Sequence, residues 1–165
     1  MAKITLKGNP IETSGNLPAV GNTLKNFVLR ATDLSDKSLS DFEGKKKILN
    51  IFPSVDTGTC AASVRKFNAS AAEIENTVVL CISRDLPFAQ SRFCGAEGLD
   101  NVVMLSDFES GEFGLNNGLQ ISNGPLKGLH SRCILVLNEQ NEVIHTEQVA
   151  ETVDEPDYEK ALAVL

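Results

Sequence analysis

Two apolar runs without polar alternation predict the centre of a β-sheet. The first is Ile48–Phe52 and the second is Thr77–Ser83, which is rich in β-branched residues. Strands that are buried on both faces have this continuous apolar character. Between the two runs, apolar side chains from Val64 to Ile74 recur at spacings of three or four residues, as on one face of a helix. This strand-helix-strand order implies that the two strands are parallel.

A second helix is predicted by Asp85, a capping residue type, followed by a proline at position 87. Two glycines, Gly95 and Gly98, lie near the expected end of this helix, and we expect it to fray there. Cys94 therefore lies at a helix end that can loosen.

The second half of the chain predicts an antiparallel hairpin and a closing helix. Cys133–Leu137 and Val143–Val149 flank Asn138–Asn141, whose polar residues are typical of a hairpin turn. Residues 154–156 should open the last helix. Parallel core strands, an antiparallel hairpin and helices on both faces favour an α/β sandwich of the thioredoxin type. No repeat or linker divides the sequence, so we expect residues 1–165 to form one domain.

The acidic charge balance argues against several classes of partner. The chain has 15 Lys and Arg against 22 Asp and Glu, a net charge of −7, which repels nucleic acid and anionic membranes. The basic run Lys45–Lys47 is interpreted as a solvated loop that enters a strand. No apolar stretch predicts a signal peptide or a membrane span, so we expect a soluble, cytoplasmic protein. Disulfides in the cytosol are more often catalytic than structural, which directs attention to the four cysteines.

Cys60 follows the first central strand and falls in the first turn of the predicted helix. Unpaired backbone N–H groups there favour an anion and hence the thiolate. A helix end contributes at most about 2 kcal/mol, whereas keeping a cysteine largely ionised at neutral pH takes roughly 3 to 4 kcal/mol. Another donor is therefore needed. Thr57 and Thr59 offer hydroxyls, and a cationic side chain from elsewhere would complete the stabilisation.

The segment around Cys60 resembles a known family. Pro53-x-x-x-Thr57-x-x-Cys60 resembles the active-site signature of peroxiredoxins. Its continuation through Asn68 is similar to the bacterial thiol peroxidase branch, the atypical two-cysteine peroxiredoxins. The chain also resembles this branch in five other segments: Lys7–Ile11, Asp85–Gly98, Gly124–Leu126, Ser131–Arg132 and Glu155–Tyr158.

The resemblance implies specific roles for five residues. Cys60 is implied as the peroxidatic cysteine that becomes a sulfenic acid, and Cys94 as the cysteine that condenses with it to a disulfide. Thr57 is implied as the hydroxyl that bonds the thiolate and the peroxide. Arg132 is implied as the cation that favours the thiolate and orients the substrate, and Pro53 as a shield of the substrate site.

The resemblance also carries wider expectations. It implies a thioredoxin-like fold, with a central mixed β-sheet flanked by helices and an N-terminal β-hairpin. It implies an antioxidant enzyme that reduces hydrogen peroxide and organic hydroperoxides, is recycled by thioredoxin, forms a homodimer and needs no metal or organic cofactor. A disulfide needs Cα atoms about 4.4 to 6.8 Å apart, so we expect the helix ends that hold Cys60 and Cys94 to unwind during the cycle.

Other functions would make different demands on these residues. Cys81 and Cys133 lie in apolar strands and are interpreted as core residues. A disulfide reductase would need Cys-x-x-Cys, which is absent, and a zinc site would need clustered ligands. A cysteine hydrolase would need a partner such as His130, which we interpret as facing solvent. A redox sensor that uses the same two cysteines without turnover remains open.

Overall fold

A seven-stranded mixed sheet organises the computed structural model, which describes all residues from Met1 to Leu165. The strands are β1 (Lys3–Leu6), β2 (Asn9–Glu12), β3 (Val28–Ala31), β4 (Asp36–Ser38), β5 (Lys46–Ile51), β6 (Thr77–Ser83), β7 (Val103–Ser106), β8 (Cys133–Leu137) and β9 (Val143–Gln148). The α-helices are α1 (Gly58–Ala71), α2 (Pro87–Glu97), α3 (Glu112–Asn116) and α4 (Tyr158–Ala163), and a 3₁₀ turn spans Leu39–Phe42.

The strand order across the sheet is β4-β3-β7-β6-β5-β8-β9. The predicted parallel unit is confirmed, because β5 and β6 pair in parallel on either side of α1. The predicted hairpin is also confirmed, because β8 and β9 pair antiparallel around the 138–141 turn. Since β8 also runs antiparallel to β5, the sheet is mixed. The segment that leads to Cys60 therefore begins where the central strand β5 ends.

Side-chain alternation along the strands divides the core into two clusters, one on each face of the sheet. On the face that we call the α1 face, Ile48 of β5 packs in one cluster with Val64 of α1. On the opposite face, the α3 face, Leu49 of β5 packs in another cluster with Phe113 of α3. A residue's position in its strand thus decides which face its side chain reaches. Cys81 of β6 and Cys133 of β8 accordingly lie on opposite faces of the sheet.

The N-terminal hairpin expected from the resemblance is present. β1 and β2 pair antiparallel, and Lys7 and Gly8 form the turn with φ of 50° and 80°. Two positive φ values in a two-residue turn match the right-handed twist of the strands. Ile4 and Ile11 pack on Ile121 in a third, small cluster. The hairpin is thereby fixed to the rest of the molecule.

Three local expectations are corrected by the structure. Leu86, not Asp85, is the N-cap of α2, and no side chain caps that helix. The last helix starts later than residues 154–156, because Asp157 is its N-cap and accepts a hydrogen bond from the backbone N–H of Lys160. Lys47 is not solvated: its side chain is buried within β5 and its Nζ donates to Oδ1 of Asn141 at 2.6 Å. None of the helices has the length and apolar character needed to cross a membrane.

Candidate active site

Cys60 lies in the first turn of α1, as the sequence predicts. The chain leaves β5 with a last sheet hydrogen bond from Phe52 N–H to the Ile82 carbonyl, and then turns through a loop into the helix. Cys60 is fully buried on the α1 face, in the same cluster as Val55 and Val64. The thiol is therefore held at a helix start and enclosed by apolar side chains.

Thr57 is the N-cap of α1. Its Oγ1 accepts a hydrogen bond from the backbone N–H of Cys60 at 3.3 Å and donates to the Ser54 carbonyl at 3.3 Å. The hydroxyl is exposed to solvent and lies at the helix start. The hydroxyl of Thr59 does not serve the thiol, because it donates to the Val153 carbonyl at 2.8 Å. Of the two threonines considered from the sequence, only Thr57 bonds to Cys60.

The loop before Cys60 is held by a residue whose role the sequence analysis missed. Asp85 accepts hydrogen bonds from Ser54 Oγ at 2.7 Å and from Val55 N–H at 2.9 Å, and Ser83 Oγ donates to it at 2.6 Å. Pro53, at the start of this loop, is buried. The position of Asp85 in the sequence could have predicted this role. Asp85 follows a central parallel strand, and the carboxyl ends of such strands meet at one edge of the sheet.

Arg132 reaches the same face as Cys60. It directly precedes β8, and because Cys133 belongs to the α3-face cluster, alternation directs Arg132 to the α1 face. The side chain is 2% exposed, and its Nε donates to the Thr152 carbonyl at 2.9 Å. Its Nη1 makes no hydrogen bond within the protein. A buried guanidinium with a free donor is suited to bind an anion or a polar oxygen.

Tyr158 of α4 lies beside both groups. Its ring contacts Phe67 edge-on, with 5.2 Å between centroids, and its hydroxyl donates to Glu155 at 2.9 Å. Burial and the hydrogen bond to Glu155 raise the pKa of Tyr158, while the charge of Arg132 lowers it and Cys60 raises it further. Tyr158 also packs against the α1-face cluster that contains Cys60, and it contributes a neutral phenol to this part of the protein.

Cys94 lies in the last turn and a half of α2 and is half-buried. It lines a groove of about 390 Å³ together with Ser91, Leu99 and Val103. Burial raises the pKa of the Cys94 thiol, and the nearby carboxylate of Asp100 raises it further. Cys60 and Cys94 are both free thiols in this structure. Cys94 is therefore a neutral thiol at pH 7, with part of its surface accessible.

The two halves of α2 are held differently. In the first half, the buried Gln90 donates to Ser83 Oγ at 3.1 Å and to the Leu105 carbonyl at 2.9 Å. After Cys94 the residues are exposed, and the helix ends at Gly98 with φ of 65°. The expectation that the Cys94 end of the helix is the weaker end agrees with this distribution of contacts.

The other two cysteines are core residues, as the sequence predicts. Cys81 in β6 is fully buried on the α1 face, and burial raises its pKa to about 12. Cys133 in β8 is fully buried on the α3 face, and burial raises its pKa as well. Neither thiol is disposed to ionise at neutral pH.

The expectation that His130 faces solvent is wrong. It is fully buried, its Nε2 lies 2.8 Å from Oδ2 of Asp107, and its ring packs on Phe113 of the α3 face. Because Cys60 lies on the α1 face, this histidine does not form the pair that a cysteine hydrolase requires. The structure also has no group of three His, Cys, Asp or Glu side chains that could hold a metal ion.

Comparison with known proteins identifies the family of the chain. The Redoxin family model matches residues 19–162. The chain is 54% identical over 165 residues to the thiol peroxidase of Corynebacterium glutamicum, covering 100% of this chain and 99% of the relative. A peroxiredoxin-like protein from Aquifex aeolicus superposes with a TM-score of 0.93 at 31% identity, covering 99% of this chain and 95% of the other. The thiol peroxidase from Chromobacterium violaceum matches with a TM-score of 0.91 at 23% identity, covering 98% and 93%.

The fold and the buried thiol at a helix start define a thioredoxin-like protein that works through cysteine chemistry. The fold class expected from the sequence is thereby confirmed. With 54% identity over its full length, the chain belongs to the thiol peroxidases of the peroxiredoxin family. It is an antioxidant enzyme, a peroxidase whose reactive group is a thiol.

Proposed function

We propose that the enzyme reduces hydrogen peroxide and organic hydroperoxides to water and alcohols, with Cys60 as the attacking thiolate. The sulfur of Cys60 forms a bond to the terminal peroxide oxygen while the O–O bond breaks. The leaving alkoxide or hydroxide takes a proton and departs as alcohol or water, and Cys60 is left as a sulfenic acid. Sulfur is oxidised by two electrons and the peroxide is reduced by two.

Cys94 then resolves this intermediate. Its thiol attacks the Cys60 sulfenic acid, an S–S bond forms, and water leaves. Thioredoxin, a dithiol reductant, reopens the disulfide and is itself oxidised to a disulfide. Because each cysteine sits within an intact helix in the reduced form, closure proceeds through unwinding of the first turn of α1 and of the Cys94 end of α2.

The observation that carries the proposal is the set of groups around Cys60. The Cys60 thiol is buried at the start of α1, the helix that Thr57 caps. Arg132 lies on the same face of the sheet, and its Nη1 has no hydrogen-bond partner. Peroxide binding gives that donor an acceptor oxygen, and the developing negative charge on the leaving oxygen strengthens the bond. For Thr57 to bond the peroxide as well, its hydroxyl must turn from the Ser54 carbonyl toward the thiol. Pro53, buried beside the loop, keeps water from the reacting sulfur.

The remaining expectations are part of the same proposal. The enzyme is a single domain of residues 1–165 that acts in the cytoplasm as a homodimer, without a metal or organic cofactor. The net charge of −7 supports the absence of nucleic acid and membrane partners. Leu86 and Phe88, at the start of α2, are 51% and 66% exposed, and they are suitable for contact with a second copy. Light scattering after size exclusion tests the dimer.

The test of the chemistry uses the reduced Cys94→Ser variant, so that the first oxidised product persists. One equivalent of cumene hydroperoxide is added with dimedone present, and the labelled cysteine is identified by peptide mass mapping. We expect rapid labelling of Cys60 alone. A label on another thiol, or none, contradicts the assignment.

Cys133→Ala is the matched control, because it removes a buried thiol from the opposite face of the sheet. We expect it to keep full peroxide turnover with thioredoxin and thioredoxin reductase, whereas Cys60→Ser loses turnover entirely. Consumption of only about one peroxide per chain in the coupled assay would instead favour a redox sensor.

A further inference from the structure

One short segment, Ala150–Val153, lies between the N-terminal hairpin and the active site. On its outer side it is joined to β1 by backbone hydrogen bonds. The N–H of Thr5 donates to the Ala150 carbonyl at 2.8 Å, and the carbonyl of Thr5 accepts the N–H of Thr152 at 2.8 Å. The Thr152 hydroxyl donates to the same carbonyl at 2.8 Å. The hairpin thus fixes the position of this segment.

A single carboxylate, that of Glu151, reinforces the junction. It accepts hydrogen bonds from the backbone N–H of Gly8 at 2.8 Å and of Lys7 at 3.1 Å, from Thr5 Oγ1 at 3.0 Å and from Val153 N–H at 3.1 Å. Three of these four donors belong to the hairpin and the fourth to the 150–153 segment itself. These bonds hold the pKa of Glu151 down at about 2, so the carboxylate is charged throughout the working pH range.

The inner side of the same segment holds active-site residues. The carbonyl of Thr152 accepts the bond from Arg132 Nε at 2.9 Å, and the next carbonyl, of Val153, accepts the bond from Thr59 Oγ1 at 2.8 Å. The backbone N–H of Val149, just before the segment, donates to the Arg132 carbonyl at 3.0 Å. Arg132 is therefore held at both its backbone and its guanidinium by residues 149–152, and the first turn of α1 is held by residue 153.

We infer that Glu151 is a positioning residue for the peroxidase reaction: by tying the hairpin turn to the 150–153 segment it fixes the Thr152 carbonyl, and through it the guanidinium of Arg132. Glu151 touches neither thiol nor substrate. Its effect reaches the reaction because a buried guanidinium is useful only when its free donor points at the reacting oxygen, and Nε is the only atom of that group with a partner in the protein. The inference rests on the proposed role of Arg132.

The test compares Glu151→Gln with Glu109→Gln in a Cys94→Ser background. Glu109 is a matched control, an exposed glutamate whose carboxylate pairs at 2.7 Å with Arg30 of β3, four positions from β8 in the strand order of the sheet. Two quantities are measured: the pH midpoint of Cys60 alkylation by iodoacetamide, and the second-order rate with hydrogen peroxide at pH 7. For Glu151→Gln we expect the midpoint to move to higher pH and the peroxide rate to fall at least about threefold. Glu109→Gln leaves both unchanged.

Further variants distinguish a loss of Arg132 positioning from a general loss of protein stability. In an Arg132→Met background, Glu151→Gln should shift the alkylation midpoint no further, although it still lowers the melting temperature. If Glu151→Gln folds poorly, the isosteric Thr5→Val, which removes one donor to the carboxylate, should give a smaller shift in the same direction. An unchanged midpoint and rate in a folded Glu151 or Thr5 variant overturns the inference, as does a midpoint shift of equal size without Arg132.

Failure of the proposed function has a different signature. In that case Cys60 of the parent Cys94→Ser protein does not react selectively with peroxide, whatever stands at position 151. The parent protein is therefore measured first, and the variants report on positioning once its selective reaction is observed.

Discussion

Two ion pairs tie α2 to α1 and to the loop before α1, on either side of the proposed disulfide partners. The first pair joins Asp56 to Arg92 at 2.7 Å, and these residues precede Cys60 and Cys94, respectively. The second pair joins Arg65 to Glu97 at 3.0 Å, and these residues follow the same two cysteines. Glu97 lies in the exposed end of α2, beyond the half anchored by Gln90. In the proposed mechanism the disulfide forms only after this end unwinds, and we therefore expect the Arg65–Glu97 pair to break first.

The perturbation we choose is Glu97→Gln, which keeps the size of the side chain and removes its charge. The side chains of Arg65 and Glu97 are 47% and 36% exposed, and ion pairs of this kind contribute about 0.2 to 1 kcal/mol. If that stabilisation is absent from the transition state of unwinding, its loss speeds disulfide closure roughly 1.4-fold to 5-fold. Because exposed pairs are screened by salt, the difference should shrink toward zero at about 1 M salt.

The assay must follow the disulfide directly, since the protein has no tryptophan and a single tyrosine. Reduced protein is mixed with one equivalent of hydrogen peroxide in a quench-flow instrument. The reaction is stopped with acid, free thiols are alkylated, and intact mass gives the fraction of disulfide at each time. Faster closure also leaves less sulfenic acid for a second peroxide, so Glu97→Gln should form less sulfinic acid at high peroxide.

The control is again Glu109→Gln, whose pair with Arg30 involves no residue of α1 or α2. It should close at the rate of the unmodified protein at every salt concentration. Equal or slower closure by Glu97→Gln at low salt would refute the reasoning, because the pair would then not oppose unwinding. A faster closure that persists at high salt would point to helix propensity and not to the ion pair.

Three further outcomes follow from the site. Thr57→Val should lower the free energy of unfolding by about 1 kcal/mol through loss of the helix cap, and Thr57→Ser should restore it; equal urea midpoints for the two variants would contradict the capping role. Arg132→Lys keeps a charge but not the planar fork that bonds Thr152, and we expect the peroxide rate to fall about 100-fold; a rate within twofold in a competition assay would remove Arg132 from the mechanism. Because the pKa of Glu151 falls from 4.5 to about 2 on folding, its contribution to stability is present above pH 4.5 and is lost as the pH falls toward 2. Chemical denaturation at several pH values should show the gap between the unmodified protein and Glu151→Gln closing over that interval, and a constant gap would contradict it.

Local pattern was sufficient for the framework of the fold. Continuous apolar runs identified β5 and β6, and the spacing that begins at Val64 identified α1, because burial imposes a period on these segments. The polar turn at Asn138–Asn141 identified the β8–β9 hairpin. Cys81 and Cys133 were recognised as core residues for the same reason, since each lies within an apolar strand.

Contacts between distant segments could not be read in this way. His130 is buried with its ring hydrogen-bonded to the carboxylate of Asp107, 23 positions earlier in the chain. Lys47 is buried with its ammonium group donating to Asn141, 94 positions later. Neither contact produces a hydrophobic or polar pattern in the sequence around the buried residue. The role of Arg132 was implied only by a family resemblance. The role of Glu151 could not be predicted, since three of its four donors are backbone N–H groups that any sequence could supply.

The long span of the bonds that complete the site has a consequence for newly made protein. Thr59 and Val153 are 94 positions apart, and Thr5 and Thr152 are 147 apart. At about 5 to 20 residues per second, the ribosome makes the 150–153 segment roughly 5 to 20 seconds after Cys60. For most of that interval the nascent chain carries Cys60 without Arg132, and for all of it without the 150–153 segment that holds the guanidinium. Given the proposed role of Arg132, we expect full peroxide reactivity only when synthesis and folding are complete, so that the emerging thiol is oxidised slowly until the folded chain has brought Cys94 into place.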